Sequence, residues 1–260
     1  MSSFFDAAAK TYDDTFTYTK IGKAQRNKVY ENLSYVLSSD KQLHILELNC
    51  GTGVDAVTFA QKNHNVIATD ISEEMIKVAS ARNNHENLIF KVLDVKNLRR
   101  DTFRESFDMV FSNFGGLNCL SIEELNTFIK TVSQLLKPQG KLFMVLMPKN
   151  CAWEQIYFLA KGAVKKAKRR NTNQSLLVNV DGEKVPTWYF NPKDIVEITQ
   201  EHFSVTNYFP VGITVPPSYL EKSFLTKKPF WNILENLEKR LSNRFLARYA
   251  DHFLIELTKK

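Results

Sequence analysis

From residue 47 to residue 53 the chain reads Glu47-Leu48-Asn49-Cys50-Gly51-Thr52-Gly53, an apolar run that enters a glycine loop and continues into a helix-like stretch. Glycine lets a ligand lie against the backbone, and the N-terminus of the helix that follows presents unsatisfied N–H groups. Two kinds of ligand suit such a loop. Gly51, Gly53 and Ala56 satisfy the G-x-G-x-x-A spacing of dinucleotide sites, and Asp70 stands 19 residues after Gly51, near where an acidic ribose ligand is expected. Against a pyrophosphate stands Glu47, a carboxylate close to the loop, because like charges at short range are unfavourable. A ligand that carries a ribose but no phosphate fits better.

Such a loop works only if a strand delivers it and further strands end beside it. The spacing predicts strands at 43–49 (LHILELN), 65–70 (NVIATD), 88–94 (LIFKVLD), 107–114 (FDMVFSNF) and 141–147 (KLFMVLM), the last opened by Gly140. Helices fall between them: Val54 to Gln61, a helix capped by Ser72 that runs to about Arg82, and one capped by Ser121 that ends near Lys137-Pro138. The strands are continuous runs of Val, Ile, Leu and Phe, as expected for a parallel sheet covered on both faces. The expected fold is therefore a doubly wound α/β sheet. In such sheets ligands bind beyond the carboxyl ends of the strands, so Asn49-Cys50, Asp70, Asp94 and Asn113 should meet at one crevice.

After Met147 the rhythm breaks. A helix of roughly two dozen residues is expected from Cys151. Asp181-Gly182 between β-type runs predicts a hairpin inside an insertion over 171–190, and 192–202 reads as helix. FSVTNYF is strand-like, WNILENLEKRL is amphipathic, and HFLIELT makes a last strand; ahead of the sheet, Gly22 to Leu37 has helical spacing. Four parts follow: a lid and leading helix over 1–40, a core over 41–150, an acceptor-side helix and insertion over 151–220, and a C-terminal helix and strand over 221–260.

S-adenosylmethionine has a ribose, an adenine, a cationic sulfonium and an amino-acid end, with no phosphate. The chain resembles the class I S-adenosylmethionine-dependent methyltransferases, in the small-molecule branch with an N-terminal lid helix, over roughly residues 5–147 and again at the final strand. Glu47-x-x-Cys50-Gly51-Thr52-Gly53 is similar to that family's first motif, Asp70-Ile71 to its second, Leu93-Asp94-Val95 to its third and Phe107 to Asn113 to its fourth. Leu136 to Lys141 resembles the turn before its fifth strand. The resemblance implies a mostly parallel seven-stranded Rossmann-like sheet and S-adenosylmethionine as cofactor. It implies that Asp70 takes the ribose hydroxyls, that Ile71 packs on the adenine, and that Asp94, with Val95 beside it, binds the adenine amino group. Gly51 and Asn113 would hold the methionine end, with Glu47 supplying negative potential. Asn49 stands where the family often has Gly or Asp.

Upstream, Tyr12, Tyr18 and Arg26 resemble the lid of methyltransferases that close a tyrosine over the cofactor. A guanidinium fork such as that of Arg26 matches the cofactor carboxylate bidentately. Trp188 and Tyr189 in the insertion are candidates for an acceptor pocket. No residue stands out as a general base.

The remaining features bound the function. With 43% hydrophobic and 24% charged residues the composition is that of a globular protein, and no stretch approaches the roughly 18 apolar residues of a membrane span. Cys50, Cys119 and Cys151 have no disulfide or zinc spacing, and none of the five histidines has ligand spacing, so a reducing cytoplasm and no metal are expected. Residues 1–150 hold 18 Lys/Arg against 17 Asp/Glu, whereas 151–260 hold 17 against 11, with six basic residues in Lys161–Arg170. That basic half motivates an RNA methyltransferase as an alternative acceptor class. Against it, Ser112-Asn113-Phe114-Gly115 departs from the Asn/Asp-Pro-Pro-Tyr of amino-directed nucleic-acid methyltransferases. The expectation is methyl transfer to a small organic acceptor. An NAD-dependent oxidoreductase and a non-catalytic cofactor-binding protein are the alternatives of another class.

Overall fold

The computed structural model describes residues 5–180 and 182–260. Its centre is a seven-stranded sheet: β1 (His44–Leu48), β2 (Asn65–Asp70), β3 (Leu88–Val92), β4 (Phe107–Ser112), β5 (Leu136–Leu146), β8 (Phe203–Val211) and β9 (His252–Lys259). The strand order is β3-β2-β1-β4-β5-β9-β8. The pairs β3-β2, β2-β1, β1-β4 and β4-β5 are parallel, and β9 runs antiparallel between β5 and β8. The expected mostly parallel doubly wound sheet is observed. The remaining two strands, β6 (Leu176–Val180) and β7 (Glu183–Thr187), form a separate hairpin. Gly182 is at its tip; Asp181, the other half of the expected turn, lies outside the described residues, as do the first four residues of the expected lid.

Both faces of the sheet are buried, which is why its strands read as continuous apolar runs. Leu46, Val110, Leu142 and Ile255 pack with Leu125, Phe128 and Ile129 of α4 (Ile122–Leu135) on one face. Their neighbours Ile45, Met109, Phe143 and Leu254 pack on the other with Val29 and Leu33 of α1 (Lys20–Leu37) and Phe59 of α2 (Val54–Gln61). Successive side chains of a strand point to opposite faces, so one apolar run serves two layers. The caps are local. Ser72 accepts the Met75 N–H at the start of α3 (Glu73–Ala81), and Ser121 and Glu124 form a reciprocal capping box on α4.

Two expectations need correction. The long helix after Cys151 is two short ones, α5 (Ala152–Ala160) and α6 (Val164–Ala167). Between them the left-handed Gly162 closes α5: its N–H reaches Leu159 O at 2.9 Å, and the Ala163 N–H reaches Phe158 O at 2.8 Å. Residues 136–140, expected to be a turn, already belong to β5. Leu136 pairs with Phe107, and the register shifts before Lys141 meets Met109, with Gln139 at φ 60° absorbing the bulge. Two further helices complete the described fold, α7 (Pro192–Thr199) and α8 (Phe230–Arg240).

Candidate functional site

Because β1, β2, β3 and β4 are parallel, their carboxyl ends open on one edge, and the Gly51 loop leaves β1 there. The loop is built from unusual backbone. Asn49 (φ 57°), Gly51 (φ 53°) and Gly53 (φ 79°) are all left-handed, and asparagine is among the few side-chain-bearing residues that tolerate this region. The loop is pinned to the neighbouring strand: the Cys50 N–H donates to Thr69 O, and the Gly51 N–H donates to Asp70 Oδ2 at 2.9 Å. Asp70 Oδ1 accepts the Ser72 N–H at 2.9 Å, and the Ile71 N–H also favours the carboxylate, so the group is tied to the backbone on both sides.

Tyr12, Arg26, Asn49, Gly51 and Asn113 line one small cleft of about 30 Å³ beside the loop. Tyr12 lies over Gly51, where an added Cβ would stand 3.9 Å from its ring; burial first, then the carboxylates around it, push its hydroxyl up to about 12. The segment that carries Tyr12 is latched to the core. Thr52 Oγ1 donates to Asp13 Oδ1 at 2.6 Å, Arg82 at the end of α3 donates to Asp13 Oδ2, and Ser72 Oγ donates to Asp6 Oδ1 at 2.5 Å. Tyr18 does not join them. It is 53% exposed, with Lys23 over its ring, and the expected second lid tyrosine is a surface residue.

The electrostatic centre of the cleft is Asp55, in the first turn of α2, which sequence reasoning did not single out. Arg26 Nη1 donates to Asp55 Oδ1 at 2.8 Å, Tyr30 donates to the same oxygen, and Asn113 Nδ2 donates to Asp55 Oδ2 at 2.9 Å. Burial is the largest influence on Arg26 and opposes its charge, but Asp55 with Tyr30 and Tyr12 together outweigh it and hold the guanidinium more firmly protonated than usual. Glu47 lies beneath, 1% exposed, and its Oε2 has no partner among the described residues. Burial, then Asp55 and Asp70, raise its carboxyl well above the ordinary value, only partly countered by Arg26. The Cys50 thiol is pushed well up by burial and then by Glu47 and Asp70. The loop is therefore ringed by carboxylates. Arg26 keeps a further donor, since its buried Nε has no partner among the described residues.

Phe114 also escaped sequence reasoning. It follows β4 at φ 44°, an unusual conformation for an aromatic residue. Its ring meets Phe16 of the lid at 4.9 Å, Arg26 at 5.1 Å and His252 at 5.7 Å.

The other expected residues sit around this centre. Gly53 caps α2 and packs against Phe90 and Ala79. Ile71 is 38% exposed at the edge of the sheet. Asp94 lies just past the end of β3, its Oδ1 accepting the Lys96 N–H, while Val95 faces a separate cleft of about 260 Å³ against α4. Trp188 and Tyr189 do not line the Gly51 cleft. The Trp188 backbone is fixed by Asn118 and its ring packs on the core, and Tyr189 is buried beneath Arg170. Among the described residues no cluster of His, Cys, Asp or Glu is arranged to hold a metal, and no helix is long and apolar enough to cross a membrane.

Residues 45–140 match the family model described as a methyltransferase domain. The malonyl-[acyl-carrier protein] O-methyltransferase of Bacillus cereus is 33% identical over 129 residues, 48% of this chain and 45% of the relative, so the chain matches less than half the length of that protein. The enzyme of the same name from Acetivibrio thermocellus is 26% identical over 245 residues, covering 92% of this chain and 78% of the relative. Among solved structures, an S-adenosylmethionine-dependent methyltransferase from Mesorhizobium loti superposes with a TM-score of 0.57 at 16% identity, over 89% of this chain and 97% of that one.

Proposed function

We propose that the chain is a class I S-adenosylmethionine-dependent methyltransferase, which binds S-adenosylmethionine across the Gly51 loop and moves the methyl group to a small organic acceptor. The carrying observation is the ring of Glu47, Asp55 and Asp70 around a loop whose glycine admits close backbone approach. The Asp55 and Asp70 carboxylates disfavour a pyrophosphate and favour a cation, and Arg26 supplies donors for a carboxylate at the other end of the same ligand.

The chain's own residues then divide the work. Asp70 accepts from the ribose hydroxyls, Ile71 gives the adenine an apolar floor, and Asp94 Oδ2 accepts from the adenine amino group. Asn113, fixed by Asp55, and the Gly51 backbone hold the methionine end. Tyr12, closed over Gly51 by the Asp13 latch, excludes water. When bound, the cofactor would supply an electrophilic sulfonium methyl, whose carbon would form a bond to the acceptor nucleophile as the C–S bond breaks and S-adenosylhomocysteine leaves. Holding the two partners in near-attack geometry supplies much of the acceleration, so no strong base is required. The segment over 151–220 forms the acceptor side, with Trp188 and Tyr189 packed inside it rather than lining the cleft, and the chain's four parts act as lid, cofactor core, acceptor side and closing strand.

Calorimetric titration with S-adenosylmethionine, S-adenosylhomocysteine and NAD tests this reading. Binding of the first two, weakened at least tenfold by Asp70→Ala, is expected. Binding of NAD alone would return the loop to the dinucleotide class. The names of the relatives make a malonyl thioester the first acceptor to assay, with methyl ester formation as the readout.

A further inference from the structure

We propose that the face formed by α5, α6, the turns over 218–226 and α8 docks on an anionic lipid bilayer. Apolar side chains stand out of this face in three groups: Ile156, Leu159 and Val164; Tyr219 and Phe224; and Phe230, Ile233 and Leu237. Each is between 42% and 63% exposed, a larger apolar display than isolated surface residues give. The groups are continuous. Tyr157 of α5 packs on Tyr219 at 5.8 Å, and Phe224 packs edge-on against Phe230 at 5.5 Å.

The α8 stripe cannot turn inward. Phe230, Ile233 and Leu237 follow the i, i+3, i+7 spacing of one helix face, and a second face, about a third of a turn round, is fixed by buried Trp231 and Glu238. The Glu238 carboxylate accepts the backbone N–H groups of Gly212, Thr214 and Val215 at 2.7–3.0 Å, which locks the rotation of the helix.

Charge selects the occupant. Residues 221–249 carry seven Lys/Arg against three Glu. Of those three, Glu221 caps α1 through the Lys20 and Ile21 N–H groups, Glu238 is buried, and Glu235 faces Lys239 at 3.6 Å. In the 161–170 run Arg169 and Arg170 are tied to Glu154, leaving Lys161, Lys165, Lys166 and Lys168 exposed beside Leu159 and Val164. Apolar side chains with long basic ones at their rim are the pattern of helices lying in the plane of a membrane interface, where lysine stems follow the apolar surface and the ammonium groups reach lipid phosphates. Five of the eight displayed side chains, Ile156, Leu159, Val164, Ile233 and Leu237, are aliphatic and neither stack on bases nor hydrogen-bond to them.

The test is co-sedimentation of the full chain with vesicles of phosphatidylcholine alone or mixed with phosphatidylglycerol, without cofactor or acceptor, so that its outcome is independent of methyl transfer. Partition to the anionic vesicles is expected to exceed that to neutral ones at least tenfold, and to fall steeply with salt. Lys165→Gln and Lys166→Gln should each weaken it about fivefold. The triple variant Phe230→Ser, Ile233→Ser, Leu237→Ser should abolish it while the thermal melt and the S-adenosylmethionine titration stay unchanged. Equal or absent partition to both vesicle types overturns the assignment. So does a concentration-dependent dimer that buries the same side chains, or tighter binding to poly-L-glutamate than to anionic vesicles, which would mark an acidic polypeptide as the partner.

Discussion

Gly51 and Gly53 stand two residues apart in one loop, both left-handed, yet alanine at the two positions should fail in different ways. At Gly53 an added Cβ would lie 2.7 Å from Phe90 Cζ and 2.8 Å from Ala79 Cβ. Ala79 sits on α3 and cannot retreat without moving the helix. Left-handed backbone costs alanine about 1–2 kcal/mol, and forcing a methyl into this contact adds about 1–3 kcal/mol. Gly53→Ala should therefore lose about 2–5 kcal/mol, which lowers Tm by roughly 10 °C in a chain of this length. At Gly51 the nearest atom to an added Cβ is Tyr12 Cε1, at 3.9 Å. Gly51→Ala should lose only the backbone cost of about 1–2 kcal/mol, but its methyl would occupy the surface proposed above to hold the cofactor. Urea unfolding and calorimetry with S-adenosylhomocysteine on both variants separate the effects. Two results would refute the reasoning: Gly53→Ala no less stable than Gly51→Ala, or Gly51→Ala binding the nucleoside as tightly as the parent.

Three further outcomes are expected. Burial alone would raise the Asp13 carboxyl, but Thr52 and Arg82 outweigh it and hold the group below its ordinary 3.8. A depressed carboxylate contributes stability that is present above the ordinary value and lost as pH falls through the lowered one, so S-adenosylhomocysteine should leave Asp13→Asn several-fold faster than the parent at neutral pH, and stopped-flow release should show the difference shrinking only as pH falls below 3.8 toward the lowered value. The Glu47 carboxyl is shifted the other way, raised by burial and by Asp55. A raised carboxyl contributes stability below its ordinary value that is lost as pH rises toward the folded one, so Glu47→Gln should gain stability relative to the parent as pH climbs above 4.5, read from urea midpoints across pH 4–8. Glu238→Ala leaves the N–H groups of Gly212, Thr214 and Val215 without their acceptor. Hydrogen bonds to a charged group contribute about 1.5–3 kcal/mol each, so a loss of several kcal/mol is expected in denaturant titration, with Glu238→Gln intermediate.

The periodic half of the chain was the legible half. Strands buried on both faces announce themselves as apolar runs, and Ser72 and Ser121 mark their helices because a cap is a local device. The loop residues followed from the same logic: a parallel sheet brings Gly51, Asp70, Asp94 and Asn113 to one edge whatever lies between them. Asp55 and Phe114 were harder, because their importance depends on partners far away in sequence. Asp55 reads as an ordinary acidic first-turn residue until α1 delivers Arg26 and Tyr30 to it, and Phe114 reads as core until its strained backbone turns it toward Arg26. The one available signal was Asp55 at a helix N-terminus directly after the glycine loop. Tyr18 misled for the opposite reason: the turn over Asp13–Thr17 carries Tyr12 inward and leaves Tyr18 in solvent. The break at Gly162 was visible in sequence, but nothing local distinguishes a tolerated helical glycine from one that ends a helix.

The insertion of β9 between β5 and β8 sets a timetable for the nascent chain. Both flanking strands precede it in sequence, and Leu146 of β5 must wait about a hundred residues for Phe253. At the usual pace of synthesis, of the order of 5–20 residues per second, the outer edge of β5 is bare for roughly 5–20 s after it leaves the ribosome. An unpaired central strand as apolar as LFMVL is a template for mispairing with another chain. The β1–β4 half can form early from local crossovers, whereas the acceptor-side half is held in a waiting state that only residues 252–259 resolve. Yield in the cell should therefore follow the supply of chaperones that shield such edges more closely than it follows the equilibrium stability of the finished protein.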